Sequence, residues 1–153
     1  MADNIVLNSG SGGDTCGADD ISSVKYQRVK IVPGGDGAVN LSGCTSYSYL
    51  AAASANQDSQ HPKASAGVLY GLDVTNSNTV VRYIKIYDLA SGATSASTPY
   101  RRYMIPAGGG FIKSWPYGIV MATGIGFRLT TGSADNDAAA VAASEIMVNM
   151  DYV

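Results

Sequence analysis

Acid–base chemistry has few possible carriers in this chain, because its 153 residues include a single histidine, His61. It lies in Gln60-His61-Pro62, where the proline favours an extended backbone before it. A Ser/His/Asp or Cys/His system would need that one imidazole for every proton transfer. The sequence also contains no Gly-x-Ser-x-Gly elbow. We therefore expect no catalytic residues, no enzyme activity and a loop position for His61.

Two short acidic clusters, Asp19-Asp20 and Asp135-Asn136-Asp137, are the other candidates for chemistry. A glycosidase could use two distant carboxylates, but their separation cannot be read from a sequence. Asp135-Asn136-Asp137 offers the oxygen ligands that calcium prefers, yet it lacks the glycine and distal glutamate of an EF-hand loop. The alternative is a plain turn in which these side chains bond their own backbone.

The cysteines and two of the aromatic residues could bind a ligand, but structural packing is the commoner role for both residue types. Cys16 and Cys44 lack a Cys-x-x-Cys spacing, so we predict small packing residues, no metal site and no cofactor. Trp115 and Tyr117 flank Pro116 and could form a platform on which a sugar stacks. Burial is the commoner use of large rings, so a core or subunit contact is the alternative.

The composition indicates a protein that works in contact with neighbours. Charged residues make up 14% of the chain and its net charge is −2, whereas about a quarter is usual. Such a surface has few of the charges that keep monomers apart, and it generates no broad field to attract nucleic acid or anionic membrane. No apolar run approaches the ~20 residues that span a bilayer, and no leader pattern is visible. We expect neither nucleic acid nor membrane as a partner.

The stretch Thr79–Asp88 is the best candidate for the element around which the chain folds. Its spacing also fits a helix, but its β-branched and aromatic composition and the flanking turn residues favour a strand. One face would carry Val80, Arg82, Ile84 and Ile86 and meet a core. Tyr83, Lys85 and Tyr87 would form a ladder on the other face, suited to a second protein surface or, alternatively, only to solvent.

Further strands are predicted from alternation and from turn residues between them. They cover residues 24–32, 45–50, 67–74, 100–105, 111–122, 125–130 and 145–152. About eight short strands without a long helical pattern indicate an all-β, antiparallel two-sheet sandwich. Residues 1–20 contain the apolar triplet Ile5-Val6-Leu7 and a Gly/Ser-rich segment, which predicts an extended N-terminal arm. Residues 21–153 would form a single β-sandwich domain.

Several short motifs follow one another in an informative order. They are Asp19-Asp20-Ile21, Val24-Lys25-Tyr26-Gln27-Arg28-Val29-Lys30, Arg82-Tyr83-Ile84-Lys85-Ile86-Tyr87, Ile105-Pro106-Ala107-Gly108-Gly109-Gly110-Phe111, Gly118-Ile119, Thr123-Gly124-Ile125, Thr131-Gly132-Ser133-Ala134-Asp135-Asn136-Asp137 and Val148-Asn149-Met150-Asp151-Tyr152. In this order the chain resembles a group of small virion proteins from tailed bacteriophages. The resemblance covers somewhat over half of the chain.

The resemblance implies a jelly-roll sandwich on the outer surface of the capsid, made in the cytoplasm of a bacterial host. Its function would be that of a capsid cement or decoration protein, which self-associates and bridges subunits of the major capsid protein. From amphipathic side chains and the arm we predict these interface residues: Ile5, Val6, Leu7, Lys25, Tyr26, Arg28, Tyr83, Lys85 and Tyr87. The alternative is a host-recognition module of a tail fibre or capsid spike, with a glycan on Trp115 and Tyr117.

Overall fold

The computed structural model describes residues 4–6, 15–21, 24–27, 43–53 and 59–153, the first three of these ranges by their backbone alone. The chain divides into two compact units, Met1–Ser42 and Gly43–Val153. The first unit holds β1 (Asn4–Val6), β2 (Thr15–Ile21) and β3 (Val24–Gln27) in one antiparallel sheet, ordered β1-β2-β3.

Only part of the N-terminal prediction falls on described residues. Val24–Gln27 is a strand, as the alternation from Val24 predicts. Ile5 and Val6 lie in β1, and Lys25 and Tyr26 lie in β3. Leu7 and Arg28 lie outside the described residues, as does most of the predicted arm over 1–20, so the arm stays a prediction.

The second unit is an antiparallel sandwich of two four-stranded sheets, which confirms the predicted fold class. Its strands are β4 (Thr45–Leu50), β5 (Gln60–Lys63), β6 (Gly67–Asn76), β7 (Arg82–Asp88), β8 (Arg101–Ile105), β9 (Gly109–Met121), β10 (Ile125–Thr130) and β11 (Ile146–Tyr152). Sheet 1 has the order β4-β11-β6-β9, and sheet 2 has the order β5-β10-β7-β8.

This strand order is that of a jelly roll. Every connection from β4 to β11 crosses from one sheet to the other except β7–β8, and β11 pairs between β4 and β6 in the same way that β10 pairs between β5 and β7. Two interlocked Greek keys produce this arrangement. The second unit therefore has the topology that the resemblance implies.

Alternation along the strands places the core between the two sheets. In β11, the even-numbered residues from Ile146 to Tyr152 are buried, while Met147 and Asp151 are exposed and Asn149 is half-buried, as predicted. The alternation over residues 145–152 also predicts Glu145 on the outward face, but its side chain is buried and forms an ion pair with Arg82. The core gathers Leu69, Leu72, Val74, Ile84, Ile86, Ile105, Met121, Ile125, Phe127, Leu129, Ile146, Val148 and Met150.

Bulges make the faces of β6 differ from a strict alternation. The sequence predicts Val68, Tyr70, Leu72 and Val74 on one face and Leu69, Gly71 and Asp73 on the other. The position of Leu69 is wrong, because Leu69 is fully buried together with Leu72 and Val74. The register shifts between Leu69 and Gly71 against both β9 and β11, and the shift reverses the faces.

The same irregularity bends β9. Ser114 pairs with Gly71 and Ile119 pairs with Leu69, so residues 115–118 bulge opposite one residue of β6. Pro116 lies in this bulge on an edge strand, as predicted. Gly118 has φ +69°, and a Cβ there would overlap Cγ1 of Val68. Glycine is therefore required at the end of the bulge.

Candidate protein-binding surface

The outer face of sheet 2 is covered by the chain itself over β7 and β10, while Met104 on β8 stays exposed. Lys85 and Tyr87 on β7, and Arg128 on the neighbouring β10, point away from the core, yet none of them is exposed to solvent. This corrects the predicted ladder of Tyr83, Lys85 and Tyr87. Lys85 and Tyr87 are available neither to a partner nor to solvent on the folded unit, and Tyr83 is half-buried.

Three cations form a row across sheet 2. Arg128 of β10 pairs with Lys85 of β7, and Lys85 pairs with Arg102 of β8. Like charges directly opposite one another destabilise a sheet. The row therefore needs compensation from outside the sheet.

The segments that follow β7 and β10 supply this compensation. Asp135 receives two hydrogen bonds from the guanidinium of Arg102, and Lys85 Nζ donates to the carbonyl oxygen of Ala134. Arg128 donates to the carbonyl oxygens of Thr94, at 2.8 Å, and of Asp137, at 2.9 Å. These contacts hold two loops over the outer face of sheet 2.

Burial and neighbouring charges act on the lysine in opposite directions. Burial lowers the pKa of Lys85, the carboxylate of Asp137 raises it, and the positive charge of Arg128 lowers it again, so that the net shift is downward. Hydrogen bonds from Arg102 lower the pKa of Asp135. The row is thus a structural feature whose three positive charges are partly compensated by two carboxylates inside the unit.

The acidic motif at 135–137 belongs to this cover. Asp137 Oδ1 accepts a hydrogen bond from the backbone N–H of Ala139 at 2.7 Å, as in the predicted turn whose side chains bond their own backbone. Asp135 is engaged with Arg102. In the part of the chain that the structure describes, no three His, Cys, Asp or Glu side chains come together as a metal site would require.

The outer face of sheet 1 is open, in contrast to that of sheet 2. The register aligns its outward residues in three rows across the strands. The rows are Leu50, Met147, Thr75 and Gly110; Ser48, Asn149, Asp73 and Ile112; and Ser46, Asp151, Gly71 and Ser114. Leu50 is 54% exposed, Met147 42% and Ile112 77%. Large apolar side chains therefore lie in solvent on this face.

A groove of about 570 Å³ runs over the same face. Asp73 and Asp151 supply its negative charge, Lys113 its positive charge and Ile112 its apolar part. Asp151 Oδ1 accepts a hydrogen bond from Ser46 Oγ at 2.6 Å, which fixes one carboxylate at the surface. The groove combines apolar and polar groups, as protein-binding surfaces do.

The bulge of β9 extends this open face at one end. Tyr117 is 96% exposed and Val120 is 70% exposed. Trp115, in contrast, is half-buried and packs against the core. The structure thus separates the two rings of the predicted glycan platform, because Trp115 makes the core contact that was the alternative.

Of the remaining candidates, Cys44 lines the groove on the open face and His61 lies on sheet 2. His61 is exposed on β5 and not in a loop. Cys44 is exposed, which corrects its prediction as a packing residue. Sequence reasoning predicted Met147 on an outward face but missed Leu50, Ile112 and Val120 as surface residues. Their alternation was visible, but only the register shows that three of them share one face.

Comparison with protein-family models finds no match, and no curated protein or solved structure matches the chain either. The described residues contain no helix that is long and apolar enough to cross a membrane.

Proposed function

We propose that this chain is a structural virion protein of a tailed bacteriophage that binds the outer surface of the capsid and stabilises it. The observation that carries the proposal is the contrast between the two sheets. Loops cover β7 and β10 on the outer face of sheet 2 and leave Met104 of the edge strand β8 exposed, whereas sheet 1 leaves Leu50, Ile112 and Met147 in solvent on three strands. The resemblance of the sequence to virion proteins supplies the partner, because a fold alone does not define a function.

Attachment through this face would be multivalent. A contact of about 800 Å² per partner is typical of a specific interface, but a small domain on such a contact dissociates readily unless its anchors are strong. Copies linked on a lattice hold one another in place, because each bound copy raises the effective concentration of the next. The proposed partners are therefore the major capsid protein and further copies of this chain.

The test is co-sedimentation with heads of the phage whose genome encodes the chain, stripped of this protein. Ile112→Lys places a charge on the most exposed aliphatic residue of the open face and should reduce occupancy by about tenfold or more, as for a central interface residue. The matched control is Val80→Lys, since Val80 is 53% exposed and lies in the turn before β7, away from the open face. Equal occupancy of the two variants would reject the open face as the attachment site.

A second candidate is a glycan-binding module, favoured by the exposure of Tyr117 on the bulge of β9. A single exposed ring can stack on a sugar, although Trp115 does not join it. A glycan array with wild-type protein and Tyr117→Ala distinguishes the candidates. A signal that depends on sugar and disappears with the ring would favour this function over capsid attachment.

A further inference from the structure

We infer that β4 (Thr45–Leu50) is a pairing edge through which two copies of this chain form an antiparallel dimer with one continuous sheet. The inference starts from a comparison of the strands at the edges of the two sheets. Exposed edges present unpaired backbone groups, and proteins normally protect them with charges, prolines or bulges.

Three of the four edges of the sandwich carry such protection. β5 contains Pro62 and a register shift against β10. β8 begins with the exposed pair Arg101-Arg102, and β9 has Pro116 in its bulge. These features disfavour a further strand at each of the three positions.

β4 carries none of these features. Its sequence, Thr-Ser-Tyr-Ser-Tyr-Leu, has no charge and no proline, and all six residues stay in register with β11 without a shift. Among the described strands, β11 is its one partner. Such a straight and uncharged edge of β-branched, aromatic and small residues is well suited to accept another strand.

The direction of its backbone groups follows from one hydrogen bond. Ala51 N–H donates to the carbonyl oxygen of Ile146 at 2.8 Å, in continuation of the β4–β11 register. Antiparallel pairs alternate between bonded and non-bonded positions, so residues 45, 47 and 49 direct their backbone groups toward β11. Ser46, Ser48 and Leu50 therefore direct theirs toward the outer edge.

A second copy fits this edge because the triplet Tyr47-Ser48-Tyr49 at the centre of β4 is symmetrical about Ser48. Antiparallel pairing centred on Ser48 places each Ser48 opposite its counterpart, and Ser46 opposite the second copy's Leu50. The three outward-directed positions would then exchange about six hydrogen bonds, at two for each bonded pair. No charged side chain of β4 opposes another in this arrangement.

The same register brings tyrosines together. Tyr47 faces the second copy's Tyr49, and Tyr49 faces the second copy's Tyr47, on the inner side of the sheet. Both rings are half-buried and contact Phe127 edge-on, with centroid distances of 6.3 and 5.8 Å. Cross-strand aromatic pairs stabilise antiparallel sheets. A different strand would need to match this Tyr-Ser-Tyr pattern, whereas a second copy provides it.

The experiment uses purified full-length protein, measured by sedimentation velocity and light scattering over a range of concentrations. Ser48→Pro removes an N–H that points to the outer edge and leaves the bonds to β11 in place, since proline is tolerated at such positions. Dimers form in the wild type, and the variant weakens them about tenfold or more, because two intermolecular bonds are lost. Its circular dichroism spectrum stays that of the wild type.

Ser48→Lys is the second variant, for the case in which the proline perturbs folding. It places two lysines side by side at the symmetry axis and weakens the dimer by charge repulsion. The matched control is Ser114→Lys, an equally exposed serine on the opposite edge strand, β9, which keeps the dimer.

The possible outcomes separate cleanly. A wild-type chain that stays monomeric overturns the inference. An assembly that both Ser48 variants leave intact also overturns it, because another surface forms the assembly or another segment of the chain covers the edge. The measurement involves no capsid. Dimerisation without capsid binding would therefore reject the proposed function and leave the edge pairing standing.

Discussion

The ion pair between Arg82 and Glu145 offers the sharpest test of the packing in the sandwich. Arg82 begins β7 in sheet 2 and Glu145 precedes β11 in sheet 1, and their side chains are 13% and 3% exposed. Removing one partner of a buried pair leaves the other charge without compensation, which costs about 3–5 kcal/mol. Glu145 keeps one hydrogen bond, from the N–H of Ala142 at 2.6 Å. We therefore expect a loss of about 3 kcal/mol for Arg82→Met, at the lower end of that range.

The assay is a double-mutant cycle from chemical denaturation, with Arg82→Met, Glu145→Leu and the double variant. Each single change should lower the free energy of unfolding by about 3 kcal/mol, and the double variant by no more than about 1 kcal/mol, because two apolar side chains leave no charge behind. Arg101→Met is the control, an exposed arginine for which the loss should be within about 0.5 kcal/mol. Additive single effects, or an Arg82 variant as stable as the control, would refute the reasoning.

Three further predictions concern single positions. Asp88 accepts hydrogen bonds from three backbone N–H groups of the Ala122–Gly124 turn, at 2.7 to 3.1 Å; burial alone would raise its pKa, but these bonds lower it overall. The stability that Asp88 contributes is therefore present at pH values above about 4 and is lost as the pH falls through the lowered pKa. In an acid titration, the free energy of unfolding of Asp88→Ala should lack this pH-dependent loss. Gly118→Ala should destabilise the fold by more than Gly108→Ala in thermal denaturation, because both glycines have positive φ but only Gly118 faces an occupied space. Lys85→Met should lower the free energy of unfolding by less than about 1 kcal/mol, or raise it, since it removes a desolvated charge between two others. A large loss in denaturant unfolding would show that the lysine stabilises the row.

The strands of the sandwich could be predicted from the sequence because their signal is local. β10 and β11 alternate cleanly over six and seven residues, and each one is in the predicted place. The faces of β6 could not be predicted, since the shift between Leu69 and Gly71 arises from pairing with strands that lie 40 or more residues further along the chain. A local period of two contains no information about such a shift.

Two of the predicted interface residues are buried for a related reason. Lys85 and Tyr87 have the amphipathic character of interface residues, and their burial depends on a loop more than 40 residues away that contains Asp135 and Asp137. The pairing of Arg102 with Asp135 closes that loop over sheet 2. Alternation shows which residues point outward from a sheet, but not whether another segment of the chain covers them.

The two proposed contacts of sheet 1 are pairing at the β4 edge and capsid binding at the outer face. They use different groups, so both can form at once and each can be tested by its own variant. Edge pairing of β4 uses backbone groups in the plane of the sheet, so the outer face stays available. Residues directly opposite one another in an antiparallel pair point to the same side, so both copies would turn their Ile112 and Met147 side chains in one direction. A dimer would then present two open faces to one capsid surface, and its second contact would form at a raised effective concentration. Ser48→Pro should therefore lower capsid occupancy without adding a charge to the outer face, whereas Ile112→Lys should lower occupancy while leaving the dimer intact. If Ser48→Pro abolishes dimers without changing occupancy, attachment to the capsid uses single copies, and the edge serves a contact between copies alone.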